Sequence, residues 1–305
     1  MSLPSFVSNS SGTDHSDQMK RKDSEDTSES SEKAVSPVIL MPNHGRVRVA
    51  KYFPGKNQPI MKGFRNVLIH VSNQGLGGPL SPFQLKNEYG QLLENIWQFS
   101  KLYSRIGSQM TPISRFRPGE IIWEHPSEIH TDSEGDPTTE YWNWRSKGMN
   151  NQFAVRYPAG FWYRTKCICS IVTDDWIKDR SIDPSKRSES FHRLTYLEAR
   201  KTIYCGEYAR LCRSHPEFLK LKSMLCNGEN LLILEVDGPP LDQNQCGFPY
   251  NLVGPTSPGL LLTETIIATL IDDARFPFGH GYTIGALLLG YDSLICASGA
   301  ILSNK

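Results

Sequence analysis

LSPFQLKNEYGQLLENIWQFSKLY, residues Leu80 to Tyr103, is the stretch on which the reading of this chain turns. Glu94, Gln98 and Lys101 stand at i, i+4 and i+7, so at helical pitch a carboxylate, an amide and an amine share one narrow stripe. Leu92, Ile96, Phe99 and Tyr103 fall on the opposite side and form an apolar face that would anchor the helix, with Trp97 and Leu102 flanking the polar stripe. On periodicity alone the stripe also reads as the solvated face of an amphipathic helix, held by a weak Glu-to-Lys attraction.

Upstream, the VLIHV run at Val67 to Val71 reads as a buried strand and Gly75 to Pro79 as the loop that delivers the chain to the helix. Downstream, Arg105 to Asn150 mixes Pro, Gly, charged and aromatic residues without clear periodicity, including Trp123, Glu124 and His125, then Tyr141, Trp142, Asn143, Trp144 and Arg145. It is expected to be an insertion, at about 105–150, carrying short elements of the kind used as a lid or binding loop. Asn151 to Val155 begins a candidate strand that continues into Arg156, Tyr157 and Pro158. From Leu194 the pattern turns helical, with Leu197, Ile203, Tyr204 and Ala209 on an apolar face and Arg200 and Lys201 as a basic pair beside it. Ser214 and Glu217 form a capping-box pattern for another helix that stops near Gly228. Leu231 to Val236 is the plainest strand and ends at Asp237, Gly238 and Pro239; Thr263 to Asp273 and Tyr282 to Leu289 read as two final helices. This order predicts an α+β fold, helix-rich around a small sheet, as a single domain over 37–305 because no linker interrupts the chain after its tail.

The tail, residues 1–36, is dominated by Ser, Asp, Glu, Lys and Thr and cannot bury enough surface to offset its ordering entropy, so disorder is expected. Lys20, Arg21 and Lys22 form a short basic cluster, and Ser24, Ser28, Ser30 and Ser31 lie among acids where phosphorylation would add further negative charge. With 33 basic and 32 acidic side chains, whole-chain electrostatics gives no argument for nucleic acid or for an acidic membrane surface. No apolar run approaches the ~20 residues needed to span a bilayer and no signal-like start is present, so the chain reads as intracellular, cytoplasmic or nuclear, with no membrane partner. The 7 cysteines are odd in number and irregularly spaced, which argues against a disulfide framework. Cys167 and Cys169 form a C-x-C with no second pair nearby, so they read as neighbours on a strand or buried thiols rather than a zinc site.

Leu80, Ser81, Pro82 and Phe83, followed by Glu94, Trp97, Gln98 and Lys101, together resemble the NADAR (NAD- and ADP-ribose-associated) family, whose core is an L-S-x-F lead-in and a helix reading E-x-x-[FYW]-Q-x-x-K. Gly279, His280, Gly281, Gly285 and Gly290, in FGHGYTIGALLLG, are similar to the family's glycine-rich turn running into a final helix. The chain differs at Asn95, where the family commonly has His, and its final helix lacks the usual Asn before the Leu-Gly pair. The resemblance implies a NADAR-like fold and an N-glycosidase acting on a ribosyl bond, with ADP-ribosylated bases, including those on nucleic acid, and phosphorylated riboflavin-pathway intermediates as the substrate classes.

In such chemistry a positive, oxocarbenium-like centre develops at the sugar carbon, and a fixed carboxylate stabilises it or activates the nucleophile. Glu94 is the candidate. Lys101 would hold a phosphate or, deprotonated, attack the anomeric carbon to give the Schiff-base type of intermediate that the resemblance permits. Gln98 would orient a ribose hydroxyl, and Trp97 or one of Trp142, Trp144, Tyr157 and Trp162 would stack on the base. Asp237, an acid directly after a buried strand, would assist proton transfer, although Asp-Gly-Pro is also a good turn. Ser81 and Phe83 belong to the substrate-binding set through the lead-in motif. Gly279, His280 and Gly281 give close backbone access, with helix N–H groups suited to phosphate, and Arg145, Arg156 and Arg200 are candidate bidentate phosphate ligands. No metal or cofactor is required. The alternative is a non-catalytic nucleotide or ADP-ribose binding module; a further one is an interaction protein using the insertion and the tail as contact surfaces.

Overall fold

The computed structural model describes residues 44–53, 56–69, 75–108, 125–160, 165–239 and 258–297, all within one compact unit, Met41–Lys305. The acidic tail, Val71, Trp123, Glu124, Trp162 and Cys246 lie outside the described residues. In chain order the elements begin with β1 (Val47–Lys51), β2 (Phe64–Leu68), a 3-10 turn at Gly78–Leu80, α1 (Leu93–Phe99), β3 (Lys101–Leu102), β4 (Arg105–Ile106), β5 (Glu128–Ile129) and α2 (Thr139–Met149). Then come β6 (Cys169–Thr173), α3 (Asp174–Lys178), β7 (Phe191–Leu194), α4 (Tyr196–Ala199), a π-helical segment at Arg200–Cys205, and α5 (Gly206–Cys212). The chain continues through α6 (Pro216–Cys226), β8 (Asn230–Glu235), β9 (Leu260–Leu261), α7 (Glu264–Asp272), α8 (His280–Leu288) and α9 (Asp292–Ile295). The architecture is mixed α/β, and no helix of the described residues is long and apolar enough to cross a membrane.

β8 lies at the centre. It runs parallel to β1 on one side, Val47 opposite Leu231, and to β2 on the other, Phe64 opposite Asn230, while β9 extends the sheet antiparallel to β1 in the order β2-β8-β1-β9. A strand flanked on both edges and covered on both faces has no polar face to show, which explains its unbroken apolar run. Leu231 and Ile233 pack into the main core with residues of α5, α6, α7 and α8, whereas Leu232 and Leu234 join Ala50 in a smaller cluster on the other face. A second, antiparallel sheet of order β3-β6-β7 stands beyond α1, with Lys101 opposite Ser170 and Ser170 opposite Leu194.

Several boundaries differ from the sequence expectation. The helix of the opening stretch is short: α1 ends at Phe99, and Lys101 opens a strand. Of the described part of the VLIHV run, Val67 and Leu68 belong to β2 and Ile69 lies beyond it; β2 starts earlier, at Phe64, in register with β8. Asn151 to Val155 is not a strand; Asn95 reaches out of α1 to bracket it, donating from Nδ2 to Asn151 O and Phe153 O at 3.1 and 3.0 Å and accepting the Val155 N–H at 2.9 Å. Leu194 ends β7, and the helical run begins after Thr195, which forms a full capping box with Glu198. The helix expected at Ser214 is capped by His215 instead, whose ring nitrogen accepts the Glu217 N–H at 3.2 Å; Pro216 favours the first helical position, and Glu217 turns away to accept the Gly77 N–H at 2.9 Å.

The 105–150 region contains β4, β5 and α2, and its aromatic run is structural. Tyr141, Trp142 and Trp144 are buried with Phe99, Tyr103 and Ile106 in a second core. Arg145 is 1% exposed and all three of its nitrogens are engaged: it donates to Pro184 O at 2.8 and 3.2 Å, to Ile171 O at 2.9 Å and to the Tyr141 hydroxyl at 3.1 Å. A guanidinium spent in this way is not a phosphate ligand. Gly148 allows the crossing of α1 and α2, because a Cβ there would stand 1.9 Å from the Phe99 ring.

Candidate functional site

The lead-in motif and α1 are one device. Leu92 offers no side-chain cap, so the orphan N–H groups of Leu93 and Glu94 are taken by Leu85 O and Pro82 O, both at 3.0 Å, from the turn that precedes the helix. Ser81 is fully buried and its hydroxyl accepts the Phe83 N–H at 3.2 Å; it shapes the turn, and Phe83 rather than Ser81 lines the cavity. Tyr208 of α5 pins the same turn by donating to Leu80 O.

Glu94, Trp97, Gln98 and Lys101 open into a cavity of about 350 Å³, within the size range of small-molecule sites. Asp237 lines it from the end of β8 and His280 from the start of α8, Arg156 and Tyr157 from the bracketed 151–157 loop, and Tyr196, Arg200 and Tyr204 from α4 and the π-helical segment. The stripe is therefore not a solvated face: Glu94 is 8% exposed. Although Lys101 has left the helix, its ammonium donates to Gln98 Oε1 at 2.8 Å, and Gln98 Nε2 donates to Glu94 Oε1 at 2.8 Å. The amide thus stands between acid and amine, and the acid and amine shift in opposite senses. Burial pushes the Glu94 carboxyl above its ordinary value, against the Gln98 hydrogen bond and the charges of Lys101, Arg156 and His280. Burial pushes the Lys101 amine below its ordinary value, against Cys167 and Glu94.

The cations of the cavity lie against rings. Lys101 is 4.8 Å from the Trp97 ring centre, Arg200 4.7 Å from Tyr196 and Arg156 5.1 Å from Phe83. Arg200 is 1% exposed and is largely spent on the last turn of α7 and the backbone that follows it, donating to Leu270, Ile271, Asp273 and Phe276 carbonyls at 2.8–3.1 Å; its Nε has no hydrogen-bond partner among the described residues. Its expected role in phosphate binding shrinks accordingly to that one N–H. Arg156, by contrast, has no hydrogen bond or ion pair among the described residues and is the open guanidinium of the site.

The glycine-rich turn also differs from expectation. The Gly281 N–H at the start of α8 is not available to a phosphate, because it donates at 2.5 Å to Oε2 of Glu235, a buried carboxylate at the end of β8. Gly279 lines the cavity and Gly281 does not. His280 Nε2 is 2.8 Å from Ile69 O and 3.7 Å from Glu235 Oε1. Asp237 is half-buried, and burial, then the like charge of Glu235, raises it to about 6, with His280 and Lys51 opposing.

Sequence reasoning missed Tyr196, Tyr204 and Phe278 as cavity walls and Glu235 as its support. Tyr204 stands four residues after Arg200, but the π-helical turn between them breaks the regular spacing that would have paired them. Glu235 did carry a signal, as the one charged residue closing an apolar strand two residues before Asp237. Trp142 and Trp144 belong to the second core and do not line the cavity. No family model, curated protein or solved structure matches this chain.

Proposed function

We propose that this cavity is the active site of an N-glycosidase that hydrolyses a ribosyl N-glycosidic bond of a nucleotide-like substrate, either an ADP-ribosylated base or a phosphorylated riboflavin-pathway intermediate. The observation that carries the reading is the convergence of Glu94, Gln98, Lys101, Asp237 and His280, from separate parts of the chain, on one cavity walled by aromatic rings. The resemblance of the opening stretch to NADAR proteins supports the same assignment. In this reading the base stacks on the rings and Arg156 takes a phosphate. Gln98 orients a ribose hydroxyl. As the C1′–N bond breaks, Asp237 gives a proton to the departing base and Glu94 faces the charge that develops at C1′. Lys101, whose amine is biased toward its neutral form, attacks C1′; ring opening gives an imine, and water then releases the sugar and restores the lysine.

One observation favours a second reading, a non-catalytic nucleotide or ADP-ribose binding module. Burial biases Glu94 toward its neutral form, in which it serves a ribose hydroxyl as a hydrogen-bond partner rather than a sugar cation as a counter-charge. The test incubates the protein and its Glu94→Gln variant with ADP-ribosylated oligonucleotides, NAD and phosphorylated aminopyrimidine nucleotides, following free base by mass spectrometry. Base released by the wild type and not by the variant supports the glycosidase. Saturable binding without product, with affinity little changed in the variant, overturns it in favour of the binding module.

A further inference from the structure

Alternation along β8 places Leu231, Ile233 and Glu235 on the face covered by α8, and Glu235 is the last of the three. Its carboxylate is 1% exposed. An ionised group so buried is costly unless it is hydrogen-bonded, and here the backbone does the bonding: Oε1 accepts the N–H groups of Val236 at 2.7 Å and Asp237 at 3.0 Å, and Oε2 accepts that of Gly281 at 2.5 Å. Each of these three amides belongs to, or directly follows, a residue that lines the cavity. The glycines beside His280 are needed for this approach. A Cβ on Gly279 would lie 2.6 Å from Glu235 Oε2, and one on Gly281 would lie 3.0 Å from both Oε2 and Cβ of Glu235.

We propose that Glu235 is a positioning residue, whose carboxylate ties the end of β8 to the start of α8 so that Asp237 and His280 are held together facing Glu94 across the cavity. The inference rests on reading Asp237 and His280 as site groups, and it gives Glu235 no contact with substrate. The groups facing Asp237 are Glu235 on β8, His280 on α8, Lys51 on β1, Glu94 on α1 and Tyr204 on the π-helical segment. Lys51 also braces the strand exit, donating to Val236 O at 2.7 Å and Gly238 O at 2.9 Å. Glu235 therefore has two effects that a packing residue would lack. It fixes where the Asp237 backbone leaves the sheet, and its negative charge favours the protonated form of Asp237.

The test titrates the Asp237 carboxyl by 13C NMR, with the resonance assigned by its loss in Asp237→Asn, in the wild type and in Glu235→Gln. The Gln side chain keeps the shape but removes the charge and turns an NH2 toward backbone donors. A midpoint near 6 in the wild type that falls by about one pH unit in Glu235→Gln, with faster exchange of the Gly281 amide, is the expected result. An unchanged midpoint in a cooperatively melting variant overturns the inference. Should Glu235→Gln fail to fold, Glu235→Asp, which retracts the carboxylate by one methylene, serves instead: Gly281 exchange accelerated tenfold or more supports the tie, and exchange as slow as in the wild type refutes it. No substrate enters these measurements. A protein that turns nothing over yet shows the shift keeps this inference while losing the glycosidase reading, and turnover without the shift does the reverse.

Discussion

In the proposed glycosidase, Asp237 and Lys101 would divide the chemistry through opposite proton affinities. A proton donor to the departing base must be protonated, and Asp237, raised to about 6 by burial and then by Glu235, remains so at higher pH than an ordinary aspartate. Its protonated fraction is near full below that value and falls about tenfold per pH unit above it, so kcat/KM should decline along an alkaline limb with its midpoint near 6. In Asp237→Asn that limb should vanish and the rate should drop by about 10²–10⁴-fold. A limb that persists in the variant would remove Asp237 from the proton transfer. Lys101 has the reverse requirement, since only the neutral amine is a nucleophile. Its burial favours that form, against the nearby Cys167 and Glu94, which oppose the shift. Borohydride added during turnover should reduce the imine and leave the sugar on Lys101, identifiable by peptide mass spectrometry. Lys101→Arg keeps the positive charge but cannot deprotonate, so it should lose adduct and turnover together. An arginine variant with wild-type turnover would assign Lys101 to phosphate binding instead.

Short elements carry this site, and their boundaries are what the sequence concealed. The stripe of Glu94, Gln98 and Lys101 was legible because spacing is kept even though the helix stops at Phe99: the lysine, one residue beyond the cap, still reaches the amide. The apolar strand β8 and the helices α7 and α8 were legible because their patterns span whole elements. The aromatic run on α2 was not, since a helix whose buried set includes an arginine and several large rings lacks an apolar stripe to detect. Arg200 shows the same limit. A basic residue beside an apolar face reads as surface, whereas here it is buried and holds the end of α7 and the chain beyond it through several carbonyls. Arg200→Met should leave these buried acceptors unsatisfied and destabilise the fold by about 3 kcal/mol, read as a lower midpoint in chemical denaturation. A change below about 0.5 kcal/mol would mean that the segment is held by other means. At the start of α8, Gly279→Ala meets Glu235 and the Asp237 Cβ at 2.6 and 2.7 Å. The backbone angle there is an ordinary one, so the cost is steric and local. The variant should melt close to the wild type and lose at least tenfold in ligand affinity or turnover; full function would show that the turn can yield without disturbing Asp237.

The way the cores meet makes the cavity a junction. Within its seven residues α1 supplies Leu93 to the main core, Ile96 to the cluster around Trp176 and Phe99 to the core built on α2, while Trp97 packs against two of these clusters and also lines the cavity. Phe278 and Tyr204, which also line the cavity, belong to the main core, and the Tyr204 ring centre lies 5.4 Å from that of Trp97. A ligand in the cavity would add contacts among residues drawn from these clusters. Binding to the native state alone stabilises by RT ln(1 + [L]/Kd), about 2.7 kcal/mol at a hundredfold excess over Kd. For a unit of this size that should raise Tm by about 5 °C. ADP-ribose, whose distal ribose carries no base at its anomeric carbon, is the probe, and the same rise should appear in Glu94→Gln because the fold and most contacts are kept. Hydrogen exchange should slow most in α1 and in the first turn of α8, which both line the cavity. A rise in Tm with protection confined to α6, remote from the lining residues, would place the ligand elsewhere; no rise with ADP-ribose but one with a phosphorylated aminopyrimidine nucleotide would choose the second substrate class for the same walls.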